Sequence, residues 1–442
     1  MTDTQSAAGW QRNEAAIVSS NSSNAISAGA KADRHSEAGT AQHLKQYLCL
    51  DDFEQAAKRK LPRMLYGYAA SGTETDASVQ QNRSSFRDYA LIPRVLTGSI
   101  RRDPKCTLFG EDYAAPFGIA PMGASALFAY RGDVAMAEAA KAANIPMVLS
   151  GASFIAMEEV ARQAPGTWFQ AYLPAHPDQI RRLLERVAAA GFKTLVITVD
   201  VPVPGNREVD KQNGFNLPLQ LTPKIMWDGI SHPSWLIGTA LQTVLRRGLP
   251  HFENYRAARG PSVLARADIR GGGAVDRMGW PEIHLVRSLW KGKLVLKGIL
   301  TTADARRARE CGADGIVISN HGGRQLDGAV SPLHVLPAIK EAISDLPVML
   351  DGGVRRGTDV LKALALGADF VFVGRPFLYA ASIGAMTGVT RAIDLMCEEL
   401  KRNMSLVGIA RLSDLTADFI VPTDANMRRA WSGRAGERSS RP

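Results

Sequence analysis

The sequence has only four cysteines in 442 residues, Cys49, Cys106, Cys311 and Cys397, with no CxxC pair and no histidine at metal-ligand spacing from them. That excludes a disulfide framework and leaves no metal site to expect; a reducing cytoplasm is the compartment that fits. No apolar run approaches the ~20 residues that a membrane-spanning helix needs. Residues 1–44, rich in Ser, Ala, Asn and Gly, lack the continuous apolar core of a signal peptide and read as a disordered tail before a fold that begins near Leu44. No GxGxxG follows an early strand, so the usual mark of a dinucleotide-binding doubly wound sheet is missing. No module of interleaved aromatic and basic residues exists either, so the net charge of +10 does not point to nucleic acid. Part of that charge lies in a C-terminal tail, 421–442, where Arg428, Arg429, Arg434, Arg438 and Arg441 sit among small polar residues. The rest suits arginines that hold small anionic ligands.

What is present is a repeat. Eight short β-branched or apolar runs alternate with helical stretches: Phe117 to Ala120, Met147 to Leu149, Trp168 to Ala171, Thr194 to Thr198, Leu294 to Lys297, Gly315 to Ser319, Val348 to Leu350 and Phe370 to Val373. Taken at or just past the ends of these runs (Ala120, Leu149, Gln170, Thr198, Lys297, Ser319, Asp351, Gly374), the spacings are 29, 21, 28, 99, 22, 32 and 23 residues. Six near-regular intervals and one outlier predict an α/β fold, a (β/α)₈ TIM barrel over about 45–420, with a long insertion at about 201–290 after strand four. A helical segment from Asp51 to Tyr68 precedes the barrel, and the residues after Tyr379 read as C-terminal helices.

In such barrels chemistry gathers at the C-terminal ends of the strands, and a phosphate is commonly held by the loops after strands seven and eight. Those loops are Asp351-Gly352-Gly353-Val354-Arg355-Arg356-Gly357 and Gly374-Arg375-Pro376. Glycine lets backbone N–H groups approach phosphate oxygens, the next helix offers its positive N-terminus, and arginine neutralises the dianion. Ordinary glycine turns would explain either loop alone, but less readily the pairing of Gly with Arg in both. His321 closes strand six, with Gly322 and Gly323 beside it and Arg324 three residues on, the grouping of a base next to an anion clamp. Asp200 closes strand four; it could cap a turn or orient a catalytic histidine. Lys297 ends an apolar strand and needs an anionic partner if buried, which a flavin would supply.

Together, Arg59-Lys60-Leu61-Pro62 through Tyr66-Gly67-Tyr68 and Ser71-Gly72, Thr198-Val199-Asp200, the SNHGGRQLD of Ser319 to Asp327 and the DGGVRRGT of Asp351 to Thr358 resemble the FMN-dependent α-hydroxy-acid oxidase and dehydrogenase family, in family order from about Leu44 to about residue 420. The resemblance implies FMN as cofactor and a small L-2-hydroxy acid as substrate. It places substrate contacts on Tyr68, Tyr172, Arg207, His321 and Arg324, with His321 as base and Asp200 stabilising its imidazolium. It places cofactor contacts on Ala120, Pro121, Met122, Gly123, Ser150, Gln170, Thr198, Lys297, Ser319, Asp351, Gly352, Gly353, Arg355, Gly374 and Arg375. Hydride transfer, with the proton taken from the hydroxyl, and a carbanion route, with the proton taken from Cα, both remain open.

Ala152 stands where glycolate-oxidising relatives place a tryptophan, which together with Pro204 to Glu208 is similar to the mandelate branch, with membrane-type lactate dehydrogenases close by. Gly123, often Ala in the oxidases, favours a dehydrogenase. Within the insertion, Trp227, Trp235, Leu236 and Ile237 with Lys224, Arg246 and Arg247 resemble an interfacial membrane segment, a peripheral contact on the inner face of the cytoplasmic membrane where a quinone would take the electrons. A loop packed on its own barrel, or a subunit contact in a homotetramer of the kind relatives form, is the competing expectation. Three alternatives stand beside this one: a soluble oxidase that returns electrons to oxygen, a non-catalytic FMN-binding barrel, and a nucleotide-transforming barrel like inosine monophosphate dehydrogenase. The last would need a catalytic cysteine in a loop, whereas Cys311 falls in the helix before strand six.

Overall fold

The eight apolar runs form one parallel sheet because each can bury both faces, against the barrel interior and against the surrounding helices. The strands are β1 Phe117–Ile119, β2 Val148–Ser150, β3 Trp168–Ala171, β4 Thr194–Thr198, β5 Lys293–Ile299, β6 Gly315–Ile318, β7 Val348–Asp351 and β8 Phe370–Val373. Neighbours pair in sequence order, β8 returns to β1, and a parallel bridge between Ile119 and Met147 closes the ring. The computed structural model describes residues 42–98, 101–215, 218–265 and 278–424. The expected N-terminal tail up to residue 41 and the basic stretch from Met427 lie outside the described residues, and the unit that carries the barrel begins at Tyr47.

Strand ends agree with expectation to within a residue or two; β2 starts one residue late because Met147 is used in the closing bridge. The opposite mouth is plugged by a hairpin, Cys106–Leu108 against Glu111–Tyr113. Its Phe109 and Tyr113 pack on Trp168 and Phe370, the first residues of β3 and β8, at ring distances of 5.6 and 5.9 Å.

The expected helix over Asp51 to Tyr68 is two helices, α1 Leu50–Lys60 and α2 Arg63–Ala70. Pro62 causes the break, since a residue before proline is pushed out of helical geometry, and Leu61 is extended at φ −86° and ψ 142°. The fold also runs past the expected limit of residue 420. The strand Ile420–Pro422 pairs antiparallel with Tyr89–Leu91, and Thr423 N donates to the Asp88 carbonyl at 2.8 Å.

The long interval after β4 contains the helix Glu208–Asn213, α3 Pro223–Ile230, and a helical run from Pro233 to Arg247 with a π-helical turn at Leu236–Leu241. The helix Trp280–Leu289 packs against the helix Pro177–Ala189 as a regular barrel helix, so the insertion proper stops near 279 rather than 290. After β7 comes α4 Gly357–Ala365, and after β8 comes α5 Arg375–Val407, kinked at Gly384 and Ala385.

Candidate functional site

A cleft at the C-terminal ends of the strands encloses about 1090 Å³ of empty space, open mouth included. Every expected site residue lines it except Asp200, Ser150 and Ser319, and each of those three holds a lining side chain from behind. Ser150 Oγ donates to Gln170 Oε1 at 3.1 Å, and Ser319 Oγ accepts from Lys297 Nζ at 2.9 Å.

His321 sits at φ +58°, with Gly322 at +66° and Gly323 at +76°. Three consecutive left-handed residues are a costly run for an L-amino-acid chain, which is why two of them are glycine. A Cβ on Gly323 would also come within 2.6 Å of Val79 N. The run curls the chain so that His321 and Arg324 line the same cleft.

His321 Nδ1 lies 3.0 Å from Asp200 Oδ1. Burial pushes the imidazole below its usual value of 6.5, Asp200 opposes this, and the Lys297 charge adds to it. Burial alone would raise Asp200, but His321 and Lys297 outweigh it and hold the carboxyl below 3.8. The pair is therefore a carboxylate and a neutral imidazole, with Nδ1–H turned to Asp200 and Nε2 left to accept a proton. Such a histidine has the chemistry a general base needs, with a counter-charge in place for its cationic form.

Around it stand cations with N–H groups to spare. Arg324 Nη1 donates to the Tyr68 and Ser71 carbonyls, at 2.5 and 2.8 Å, while its Nη2 is buried and makes no hydrogen bond. Arg207 Nε is likewise buried and without a hydrogen bond. The Tyr68 ring lies 4.6 Å from the Arg324 guanidinium and 6.0 Å from that of Arg207. Burial first, and then the charge of Arg324, lower the Arg207 pKa. Both arginines are half-buried and share the nearby Asp210 as a counter-charge, and the N–H groups they leave without partners suit a further anion between them.

The loops after β7 and β8 repeat the theme. Arg375 donates to the Ala69, Gly322 and Ser71 carbonyls at 2.7, 2.9 and 3.1 Å. Burial, then Arg324, push its pKa down to about 10. Arg355 is buried, its Nε makes no hydrogen bond, and the nearest carboxylate oxygen, on Asp51, is 3.9 Å away. One expectation fails here. The N-terminus of α4 is already capped: Asp359 Oδ2 accepts from Arg355 N and Arg356 N, each at 2.9 Å, and Glu399 Oε2 accepts from Gly357 N at 2.8 Å. The donors left for a phosphate are the arginine side chains and the glycine backbone, not that helix end.

The family described as FMN-dependent dehydrogenase matches residues 57–422. The chain belongs to that family. It is 40% identical over 377 residues to an L-lactate dehydrogenase of Ectopseudomonas mendocina, covering 84% of this chain and 97% of the relative. To an (S)-mandelate dehydrogenase of Pseudomonas putida it is 36% identical over 372 residues, covering 84% and 93%. A solved structure of a monotopic membrane protein, (S)-mandelate dehydrogenase, superposes with a TM-score of 0.78 at 34% identity, covering 85% of this chain and 99% of that one.

The dehydrogenase uses FMN, and the cleft fits it on this chain's own atoms. Gln170 Nε2, Asp351 Oδ1 and Arg355 Nε belong to residues that line the cleft, and all three atoms are buried and without hydrogen bonds. Lys297 departs from expectation: its anionic partner is Asp351 Oδ2, at 3.2 Å, so the ammonium is balanced without a flavin. Burial would lower Lys297, yet Asp351 and Asp200 together hold it above 10.5. It is a fixed positive charge in the wall.

The insertion enters the site more deeply than its sequence suggests. Arg207 and Tyr255 line the cleft, and Phe215 packs on the Tyr68 ring at 4.4 Å. Asp228 of α3 accepts from Arg63 N and Met64 N, at 3.1 and 3.2 Å, which caps the helix α2 that carries Tyr68. Tyr255 and Asp228 carry no local signal, since each acts on a segment far away in sequence.

The same segment corrects three of the expected membrane residues. Trp235 is buried and its Nε1 donates to the Leu127 carbonyl at 2.7 Å. Leu236 is half-buried. Arg247 is bound through both terminal nitrogens to Glu159, at 2.9 and 2.5 Å. What faces outward is apolar: among the described residues, half of the 18 exposed large hydrophobic side chains fall between Leu221 and Leu249, including Trp227 (71% exposed), Ile237 (66%) and Leu245 (82%).

Proposed function

We propose that this FMN-dependent dehydrogenase oxidises an L-2-hydroxy acid, mandelate-like or lactate, to the 2-keto acid and passes the electrons to an acceptor at a membrane surface. The observation that carries the reading is the His321–Asp200 pair in one cleft with the unsatisfied N–H groups of Arg324 and Arg207. A base beside a carboxylate clamp is what oxidation of a 2-hydroxy acid requires.

Arg324 Nη2 and Arg207 Nε would receive the substrate carboxylate, with Tyr68 on the same side, fixing C2 relative to His321. Tyr172 would bind the substrate oxygen. His321 Nε2 takes the proton, and Asp200 balances the imidazolium that forms. Gln170, Thr198, Asp351 and the Ala120 to Gly123 backbone would hold the flavin, with Arg355, Arg375, Gly352, Gly353 and Gly374 at its phosphate. FMN, when bound, supplies the two-electron acceptor. Lys297 keeps positive charge in the wall next to it, with Ser319 and Asp351 as its fixed partners.

The outward apolar face of the insertion supports peripheral attachment. Ile237, Leu241, Val244 and Leu245 recur at helical spacing, with Trp227 and Ile230 on α3. With Arg247 neutralised by Glu159, apolar burial outweighs charge, since each large side chain is worth ~1.5–3 kcal/mol against ~1 kcal/mol for a cation near an anionic surface. No helix among the described residues is long and apolar enough to cross a membrane. Anaerobic mixing with (S)-mandelate, L-lactate and glycolate tests the chemistry: bleaching of the flavin by a 2-hydroxy acid is expected, and no bleaching by any of them contradicts the reading.

A further inference from the structure

We propose that Tyr255, supplied by the insertion, is a specificity-determining residue that selects 2-hydroxy acids with an aryl side chain; this rests on the 2-hydroxy-acid reading above. Tyr255 and Tyr172 both line the cleft, and their rings stack at 5.8 Å and 24°. Neither is fully buried. Behind Tyr255, Phe252 packs at 5.5 Å, and Phe252 meets Phe154 edge-on at 4.9 Å.

The backbone under Tyr255 is pinned beside the pocket. Asn254 is buried; its Nδ2 donates to the Ile155 carbonyl at 2.7 Å and its Oδ1 accepts from Met157 N at 2.9 Å. Glu253 N donates to the Ser153 carbonyl at 3.3 Å. The insertion is thus stitched to the loop that begins at Ala152, itself in the cleft wall. Ala152 adjoins Gly123, since a Cβ placed on Gly123 would come within 2.8 Å of the Ala152 Cβ. Two small residues leave room, and an anchored aromatic ring bounds it.

A substrate ring entering that room gains an aromatic contact with Tyr255 that a methyl group cannot make, because ring pairs attract at centroid distances of ~4.5–7 Å. A residue that only supported Tyr172 would affect every substrate alike. The selectivity ratio separates the two roles.

The test compares wild-type holoenzyme with Tyr255→Leu and Tyr255→Phe, reading kcat/KM for (S)-mandelate and L-lactate in steady-state turnover with an artificial electron acceptor. Calorimetric Kd values for benzoylformate and pyruvate give the same comparison without turnover. Tyr255→Leu is expected to lower the aryl-to-methyl ratio roughly three- to tenfold in both measurements, whereas Tyr255→Phe keeps the wild-type ratio. Should the leucine variant lose FMN, Tyr255→Met carries the same expectation. Equal losses for both acids, or an unmoved ratio, overturn the role of Tyr255 while wild-type turnover of both acids leaves the functional reading intact. A wild-type enzyme that bleaches with neither acid overturns that reading itself.

Discussion

The strand ends of the barrel and the insertion after β4 furnish walls of the same cleft, yet they do so differently. His321, Lys297, Asp351 and Gly374 sit where they do because each lies in the last residues of a short apolar strand or just past them, a rule that operates within a few residues. Tyr255, Asp228 and Trp235 are placed by partners far off in the chain: the loop 153–157, the start of α2 and the Leu127 carbonyl. Local rules fix the chemistry, and long-range contacts fix the access, the selectivity and the surface presented.

Substitutions can break this division, and the largest effect is expected at the barrel. Asp200→Asn keeps the hydrogen-bonding shape but removes the charge that balances the imidazolium, leaving it among Lys297 and Arg207. Flavin reduction should slow by ~10² to 10⁴ with FMN retained. A loss of less than about tenfold would place the charge balance elsewhere.

On the insertion, replacing Trp227, Ile237 and Leu245 together by Ser should abolish pelleting with anionic vesicles, because each side chain contributes ~1.5–3 kcal/mol when buried. Flavin reduction in solution should stay within about twofold, since all three are exposed. Unchanged pelleting would return this face to the alternative of a subunit contact.

Asp228→Ala crosses the division, an insertion residue acting on the helix that bears Tyr68. Losing an N-terminal cap costs ~1 kcal/mol, and the expected result is a KM raised by about fivefold with a smaller change in kcat. Asp228→Asn, which keeps an acceptor oxygen, should recover part of it. Equal effects from both variants would show that the carboxylate charge, not the cap, matters.

The smallest effect concerns pH. Burial and Lys297 hold His321 below 6.5 despite Asp200, so the base is unprotonated in the free enzyme at neutral pH. Activity is lost only as pH falls through that lowered value, so the acid limb of kcat/KM should lie below 6.5. A limb at or above 6.5 contradicts the electrostatic arrangement described.

The barrel was legible because strands and βα loops carry periodic and glycine signals, and the His321, Asp351 and Gly374 loops announced themselves. What failed did so for physical reasons. Trp227 and Trp235 look alike in sequence, and only the Leu127 carbonyl, over a hundred residues away, turns one of them inward. Arg247 counts as free charge until Glu159 folds beside it. The α4 N-terminus reads as open for phosphate until Asp359 and Glu399 take its amides. Lys297 calls for an anion, but nothing local says that Asp351, two strands away, is that anion.

The central claim is that His321 is the base of an FMN-dependent 2-hydroxy-acid dehydrogenase. Anaerobic stopped-flow reduction of the His321→Gln holoenzyme by (S)-mandelate and L-lactate addresses it directly. FMN should remain bound, with its oxidised spectrum, while bleaching slows by at least ~10² relative to wild type. Bleaching of the variant at a near wild-type rate would contradict the account.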